Sequence, residues 1–196
     1  MMNIALFGTS ADPPSIGHQQ ILLWLSKHYD RVLVWVSDNP FKNHQAPLSD
    51  RIKMMELTIA AIKPPTRTIT LHPELSDPRT INTLTKAKQI WQEASFTLVI
   101  GSDLVPQLPT WYRAQDLLSQ VKLLVVPRQG VTIAEADIDS LVRMGTEVAI
   151  APDSTSIPNV SSSDYRNNGN SSVIIPTVAA YIQRESLYAW QTSPAP

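Results

Sequence analysis

Apolar and polar positions along this chain alternate between two periods, and the stretch from Asn3 to Leu25, NIALFGTSADPPSIGHQQILLWL, contains both. Ile4 to Phe7 is a continuous apolar run, as expected of a parallel strand covered on both faces. A turn of small residues follows. A helix then opens at or near Gly17 and His18, where His18, Ile21, Leu22 and Leu25 recur at helical spacing and put His18 at the top of the face laid on the sheet. The first helical N–H groups lack intrahelical partners and the helix dipole favours an anion, so strand, turn and helix start together predict a phosphate site.

The alternation continues down the chain. Arg31 to Ser37 predicts a second buried strand, with a loop through His44 behind it. A helix is expected from Ser49 as N-cap, with Asp50 in its first turn and Ile52, Met55, Ile59 and Ile62 as its inner face, until Pro64 and Pro65 stop it. Thr66 to Leu71 alternates like a strand. A loop with His72, Glu74 and Asp77 leads to a helix from Thr80 to Trp91, and Phe96 to Ile100 is strand four, closed by Gly101, Ser102 and Asp103. A loop carrying Pro106 and Pro109 delivers Trp111, Tyr112 and Arg113 to a short helix ending at Leu118. Val121 to Val126 is strand five, Ile133 to Met144 a helix, and Glu147 to Ile150 a last short strand. Pro152 to Asn170, polar and rich in Ser and Asn, reads as a plain loop. Pro176 to Arg184 is a helix with proline in its first turn, and Thr192 to Pro196 reads as a disordered tail.

Strands alternating with helices predict an α/β fold, a Rossmann-like doubly wound parallel sheet with helices on both faces and right-handed crossovers. Ligands of such sheets sit outside the C-terminal ends of the strands, which here gathers the loops after strands one, two, four and six. No Gly/Ser-rich or charge-rich linker divides the 196 residues, so one domain over residues 1–190 is expected, with 191–196 as the tail.

Charge and composition narrow the chemistry. Sixteen basic and 17 acidic residues give a net charge of −1, which makes no electrostatic case for nucleic acid or an anionic membrane, so any anion needs a local site. With no cysteine there is no disulfide, thiolate metal site or cysteine nucleophile. No apolar run reaches about 18 residues and no signal-peptide pattern opens the chain, so a cytoplasmic protein is expected. The dinucleotide fingerprint G-x-G-x-x-G is absent, since Thr9, Ser10, Ala11 and Asp12 follow Gly8, and no Gly-Lys-Ser/Thr follows a strand. A nucleotide site here is of another kind. Asp103 is either a turn residue or a carboxylate accepting from ribose hydroxyls, with Gly101 permitting close approach. Lys42 and Arg166 are either solvated cations or phosphate ligands. His44 and His72 have no partners at metal-ligand spacing.

Gly8 to His18, G-T-S-A-D-P-P-S-I-G-H, resembles the G-G-T-F-D-P-x-H/T-x-G-H signature of the H/T-x-G-H nucleotidyltransferases. Asn39 to Lys42 resembles the P-H-K segment of bacterial nicotinate-nucleotide adenylyltransferases, Arg51 to Met54 their R-x-x-M, and Pro78 to Leu84 their S-Y-T-x-D-T-L. Gly101 to Asp103 with Trp111 and Tyr112 is similar to their G-A-D and W-x loop, and Val160 to Arg166 to their I-S-S-T-x-I-R. The order of the segments agrees from Asn3 to Tyr188. The chain departs from the pattern at Ser15 for His or Thr, Ala11 for Phe, Phe41 for His, Arg79 for Tyr and Asn82 for Asp.

The resemblance implies adenylyl transfer from ATP to nicotinate mononucleotide, giving nicotinate adenine dinucleotide and pyrophosphate in NAD biosynthesis. Preference for nicotinamide mononucleotide, acceptance of both, and a non-catalytic nucleotide-binding protein are the alternatives. It implies His18, Ser15, Lys42 and Arg166 as catalytic residues. ATP would meet Gly8, Thr9, Ser10, Gly17, His18, Gly101, Asp103, Ser162, Ser163 and Arg166, and the nicotinate nucleotide would meet Thr80, Thr83, Trp111 and Tyr112. Trp111 would stack on the pyridine ring while N–H groups near Tyr112 and the Thr80 and Thr83 hydroxyls meet the carboxylate. Magnesium is expected on the ATP phosphates and not in a protein cage. ATP and the mononucleotide are the partners implied, with homo-oligomerisation left open.

Overall fold

The apolar runs become the strands of one parallel sheet. The computed structural model describes residues 1–38, 42–128, 130–152 and 162–188. Its elements are β1 (Asn3–Thr9), α1 (Ile16–His28), β2 (Arg31–Val36), α2 (Leu48–Ala60), β3 (Ile69–Leu71), α3 (Thr80–Ile90), β4 (Ser95–Gly101), α4 (Ala114–Leu118), β5 (Lys122–Val126), α5 (Glu135–Arg143), β6 (Val148–Ile150), α6 (Ser162–Asn168) and α7 (Pro176–Arg184). Asn39 to Phe41, Val160, Ser161 and the tail lie outside the described residues. The strand order is β3-β2-β1-β4-β5-β6, every pairing parallel, so the order reverses between β1 and β4. This is the expected Rossmann-like doubly wound sheet, with its crevice at the reversal.

Each strand divides its side chains between two cores because successive residues face opposite ways. Ile4, Leu6, Leu33, Trp35, Leu98, Ile100, Leu123 and Val125 point to one side, where Leu84, Leu108, Leu117 and Leu141 cover them. Ala5, Phe7, Val32, Val34, Val36, Val99, Leu124 and Val126 point to the other, under Leu22, Leu25 and Met55. Each fully buried side chain of this size contributes roughly 1.5–3 kcal/mol. Gly8 in β1 stands level with Trp35 in β2, and a Cβ there would come within 2.4 Å of the indole. Its missing side chain is therefore needed for packing.

The departures from expectation have local causes. Helix α2 starts one residue early, at Leu48 after Pro47, so Ser49 lies inside the first turn and is not the cap. Its buried residues are Arg51, Met54, Met55 and Thr58, while Ile52 and Ile59 are only partly buried. A third core explains this: Met54 packs with Ala46, Tyr165, Val173, Ile174, Ile175, Val178, Ile182 and Tyr188, so α2 is covered by the sheet on one side and by α7 on another. The strand expected from Thr66 is only Ile69–Leu71. The loop with Pro106 and Pro109 is a 3-10 helix over Ser102–Thr110, in which the two prolines donate nothing, but their fixed φ suits the tight winding. Part of the presumed loop Pro152 to Asn170 is helix α6.

Arg51 is 1% exposed. Its Nη1 donates to the carbonyls of Ser10 (2.9 Å) and Ser37 (2.8 Å), Nε to Ala46 O (3.1 Å) and Nη2 to Asp38 Oδ1 (2.8 Å). One guanidinium thus joins the loops after β1 and β2 to the start of α2. Its removal would leave the carbonyls of Ser10, Ser37 and Ala46 without this donor, while the exposed Asp38 stays hydrated. Arg51→Ala is expected to lower unfolding free energy by about 3–5 kcal/mol in urea titration, and a loss below about 1 kcal/mol would remove Arg51 from this role.

Candidate functional site

Because every strand is parallel, the residues following β1, β2, β4 and β5 emerge on one edge of the sheet. The β1–α1 turn occupies the middle of that edge. Ser15, in extended backbone conformation, ends the turn as the N-cap of α1, and Ala11 supports it from the left-handed region at φ 48°. The amides of Ile16, Gly17 and His18 precede the first i→i−4 bond, Gln19 N to Ser15 O, and so have no partner within the helix.

The part-buried His18 is fixed at both ring nitrogens. Ser15 N–H donates to Nδ1 at 3.0 Å, and Ser15 Oγ lies 2.8 Å from the same atom. A backbone amide can only donate, so Nδ1 is the acceptor and the neutral ring carries its proton on Nε2. Nε2 then donates to Thr9 Oγ1 at 2.8 Å, which also accepts from Ala11 N–H at 3.2 Å. Burial, and secondarily the positive charge of Arg128, lower the His18 pKa from 6.5 to about 4. At neutral pH His18 is an uncharged N–H donor. Ser15, expected as a phosphate donor, is 1% exposed and its hydroxyl is turned to the imidazole instead.

Helix α6 closes on the same turn. Ser162 Oγ donates to Pro13 O at 2.7 Å, and Arg166 Nη1 donates to Asp12 O while Nη2 donates to Ser163 Oγ at 3.0 Å. The buried Asp12 carboxylate accepts from Gln45 N–H (2.9 Å), Ala46 N–H (3.2 Å) and the Tyr188 hydroxyl (2.9 Å). Burial first, then the Asp12 charge, raise the Tyr188 phenol far above its ordinary value, so it stays a donor. Residues at both ends of the chain therefore hold one turn. Ser162, Ser163 and Arg166, which the resemblance assigns to ATP, are brought to this turn.

Asp103 follows β4, with Oδ1 3.0 Å from Arg128 Nε, an ion pair without hydrogen-bond alignment. Arg128 follows β5 and donates its backbone N–H to Ser102 Oγ at 2.9 Å. A Cβ on Gly101 would meet Asp103 Oδ1 at 2.5 Å and Arg128 Nε at 2.7 Å, so glycine lets the pair pass close over the strand end and a larger residue would displace the two side chains. Arg128 is the site residue that sequence reasoning missed. Its signal was a cation two residues beyond strand five. Lys42 is exposed behind β2, near enough to act on His44, whose pKa is lowered by burial first and then by the Arg51 charge.

On the acceptor side, Trp111 is half-buried against the core and its backbone N–H is taken by Leu108 O at 3.1 Å. Tyr112 is 50% exposed, with the Arg79 guanidinium 4.0 Å from its ring centroid. Thr80 opens α3 at the surface, but Thr83 does not join it: Thr83 is fully buried and its hydroxyl donates to Leu75 O at 2.8 Å, leaving nothing for a carboxylate. His72 is a brace between Thr70 and Glu74, 2.8 and 2.7 Å away. Among the described residues no group of three His, Asp or Glu is placed to hold a metal ion, and no helix is long and apolar enough to cross a membrane.

A fixed donor at a helix start, flanked by arginines at a strand-order reversal, is suited to a nucleotide's phosphates. Comparison with known proteins agrees. Residues 6–168 match the model of the cytidylyltransferase-like family. A probable nicotinate-nucleotide adenylyltransferase of Synechocystis sp. is 40% identical, over 95% of this chain and 99% of its own length. One of the same description from Gemmatimonas aurantiaca is 27% identical, over 95% and 92%. The fold matches that of Plasmodium falciparum nicotinic acid mononucleotide adenylyltransferase complexed with NaAD at a TM-score of 0.80, with 21% identity and coverage of 96% of this chain and 98% of that one. The chain is a nucleotidyltransferase of the cytidylyltransferase-like family and belongs to the nicotinate-nucleotide adenylyltransferases.

Proposed function

We propose that this chain transfers the adenylyl group of ATP to nicotinate mononucleotide, a step of NAD biosynthesis. A 5′-phosphate oxygen of the acceptor attacks the α-phosphorus of ATP, the bond to the bridging oxygen breaks, and pyrophosphate leaves. The observation that carries this reading is His18, held as a neutral Nε2–H donor at the start of α1, where the amides of Ile16 and Gly17 have no partner within the helix. Such a reaction needs little covalent help. It needs alignment, and donors aimed where charge develops on the phosphoryl oxygens. His18 exchanges its bond to Thr9 for one to an α-phosphate oxygen, at no cost in protonation because the ring is already neutral.

Pyrophosphate gathers negative charge as the bond breaks, so cations beside it stabilise the transition state more than the ground state. Arg166, held by Asp12 O and Ser163, supplies one such cation, and Lys42 and Arg128 supply others. Ser162 and Ser163 add hydroxyl groups, and Asp103 accepts from ribose. Gly17 and the β1–α1 turn keep the backbone close to the phosphates. Magnesium enters with ATP, coordinated by phosphate oxygens and water. Trp111, Tyr112 and Thr80 receive the pyridine nucleotide.

Pyrophosphate release is measured with ATP and magnesium plus one acceptor at a time. The expected outcome is the highest kcat/KM with nicotinate mononucleotide; preference for nicotinamide mononucleotide, or ATP binding without release, would overturn the reading. His18→Ala is expected to lower kcat about 100-fold or more, as for loss of one oxyanion donor. Proton NMR should show the His18 imidazole titrating near pH 4. Between pH 6.5 and about 4 the unfolded chain binds a proton that the folded one refuses, so this group's stabilisation is complete above 6.5 and lost as pH falls through that window. His18→Gln should flatten that part of the pH–stability curve; an unchanged slope would place the His18 pKa near its ordinary value.

A further inference from the structure

We infer that Arg79, seated on the Tyr112 ring, reads the acceptor's carboxylate and so selects the acid over the amide; this rests on the proposed function. Two distant parts of the chain meet here. Arg79 is the extended residue before α3, tied by its backbone N–H to Asp77 Oδ1 at 3.0 Å, and Tyr112 follows the 3-10 helix beyond β4. The guanidinium carbon lies 4.0 Å from the ring centroid, although half of Tyr112 is open to solvent.

The guanidinium is held but not neutralised. Among the described residues it makes no ion pair, and the nearby carboxylates are engaged elsewhere. Asp116 pairs with Arg113 at 2.6 Å, and Asp77 receives Asn82 Nδ2 at 3.0 Å and Lys86 Nζ at 3.5 Å. A guanidinium held by its carbon over an aromatic face keeps N–H groups at its edge, and an arginine N–H fork can grip a carboxylate with two parallel bonds. The dipole of the eleven-residue α3, which starts at Thr80, favours the same anion.

The ligand's chemistry makes one cation select twice. The pyridine ring of either mononucleotide is alkylated on nitrogen and carries a positive charge. In the acid a carboxylate balances it, whereas in the amide nothing does. Arg79 attracts the carboxylate of the first and opposes the uncompensated ring of the second, so a single side chain supplies both the favourable contact and the penalty against the competitor.

The test compares kcat/KM for nicotinate and nicotinamide mononucleotide in the wild-type enzyme, Arg79→Gln, Arg79→Lys, Tyr112→Phe and Tyr112→Ala, with calorimetric titration of each acceptor as a readout independent of turnover. Arg79→Gln is expected to lower the acid-to-amide ratio about tenfold or more, through the acceptor's KM and Kd, while KM for ATP stays put. In the acid-to-amide ratio, Arg79→Lys, which keeps the charge and loses the fork, should fall between, Tyr112→Phe, which keeps the ring under Arg79 whatever its turnover, should keep the ratio, and Tyr112→Ala should lose part of it. A ratio unchanged within about twofold in Arg79→Gln, or a fall in kcat alike for both acceptors, overturns the inference while the wild-type preference leaves the proposed function standing. A wild-type enzyme without preference for the acid overturns both.

Discussion

A buried positive charge holds together the two loops from which the proposed phosphate site is made. Taking a guanidinium out of water costs several kcal/mol unless its donors are matched, and Arg51 matches them with carbonyls of Ser10, Ser37 and Ala46 and with Asp38. Those acceptors belong to segments that pack poorly by themselves: a turn of small residues, the end of a strand and the approach to a helix. Asp12 answers from the other side, taking two amides of the approach to α2 and the Tyr188 hydroxyl. Loops are the natural place for binding groups but are mobile unless fixed. Here two buried charges on opposite sides of one turn supply the fixing, and His18 inherits its position from them.

The centre of the sheet was legible because β1, β2, β4 and β5 are buried on both faces and so appear as unbroken apolar runs, whereas the edge strands β3 and β6 are short and only partly covered; the five helices with one covered face were legible from their period. What escaped was tertiary. Helix α2 is covered on two sides, so Arg51 and Met54 are buried where a single-faced pattern would expose the arginine. Ser102–Thr110 carries two prolines, which the sequence marks as a break and the structure uses in a 3-10 helix. Helix α6 is short and polar, held by Ser162 and Arg166 side chains across the chain more than by an apolar stripe.

At the site, residues identified by motif and strand end lie along one edge of the sheet: His18 on the turn, Arg166 and the serines beside it, Asp103 at the reversal of strand order. Residues whose role depends on a neighbour's side chain were not legible. Thr83 carries the same hydroxyl as Thr80 but spends it on Leu75 O, a fact of helix phase and depth. Ser15 can donate to phosphate, yet the N-cap position aims it at the imidazole. Arg128 and Asp103 are far apart in sequence and meet only because β4 and β5 are neighbours in register.

The turn at Asp12 and Pro13 leaves the ribosome well before the partners that close it: Ser162 and Arg166 are 149 and 154 residues further on, and Tyr188 is 176. During synthesis the strands and their two sheet cores can form while the phosphate turn still lacks its closing contacts. Native contacts this distant slow folding and leave a late, unfinished state. A nascent chain of this architecture therefore acquires its scaffold well before its capacity to hold a nucleotide, so ATP can reward only the finished molecule.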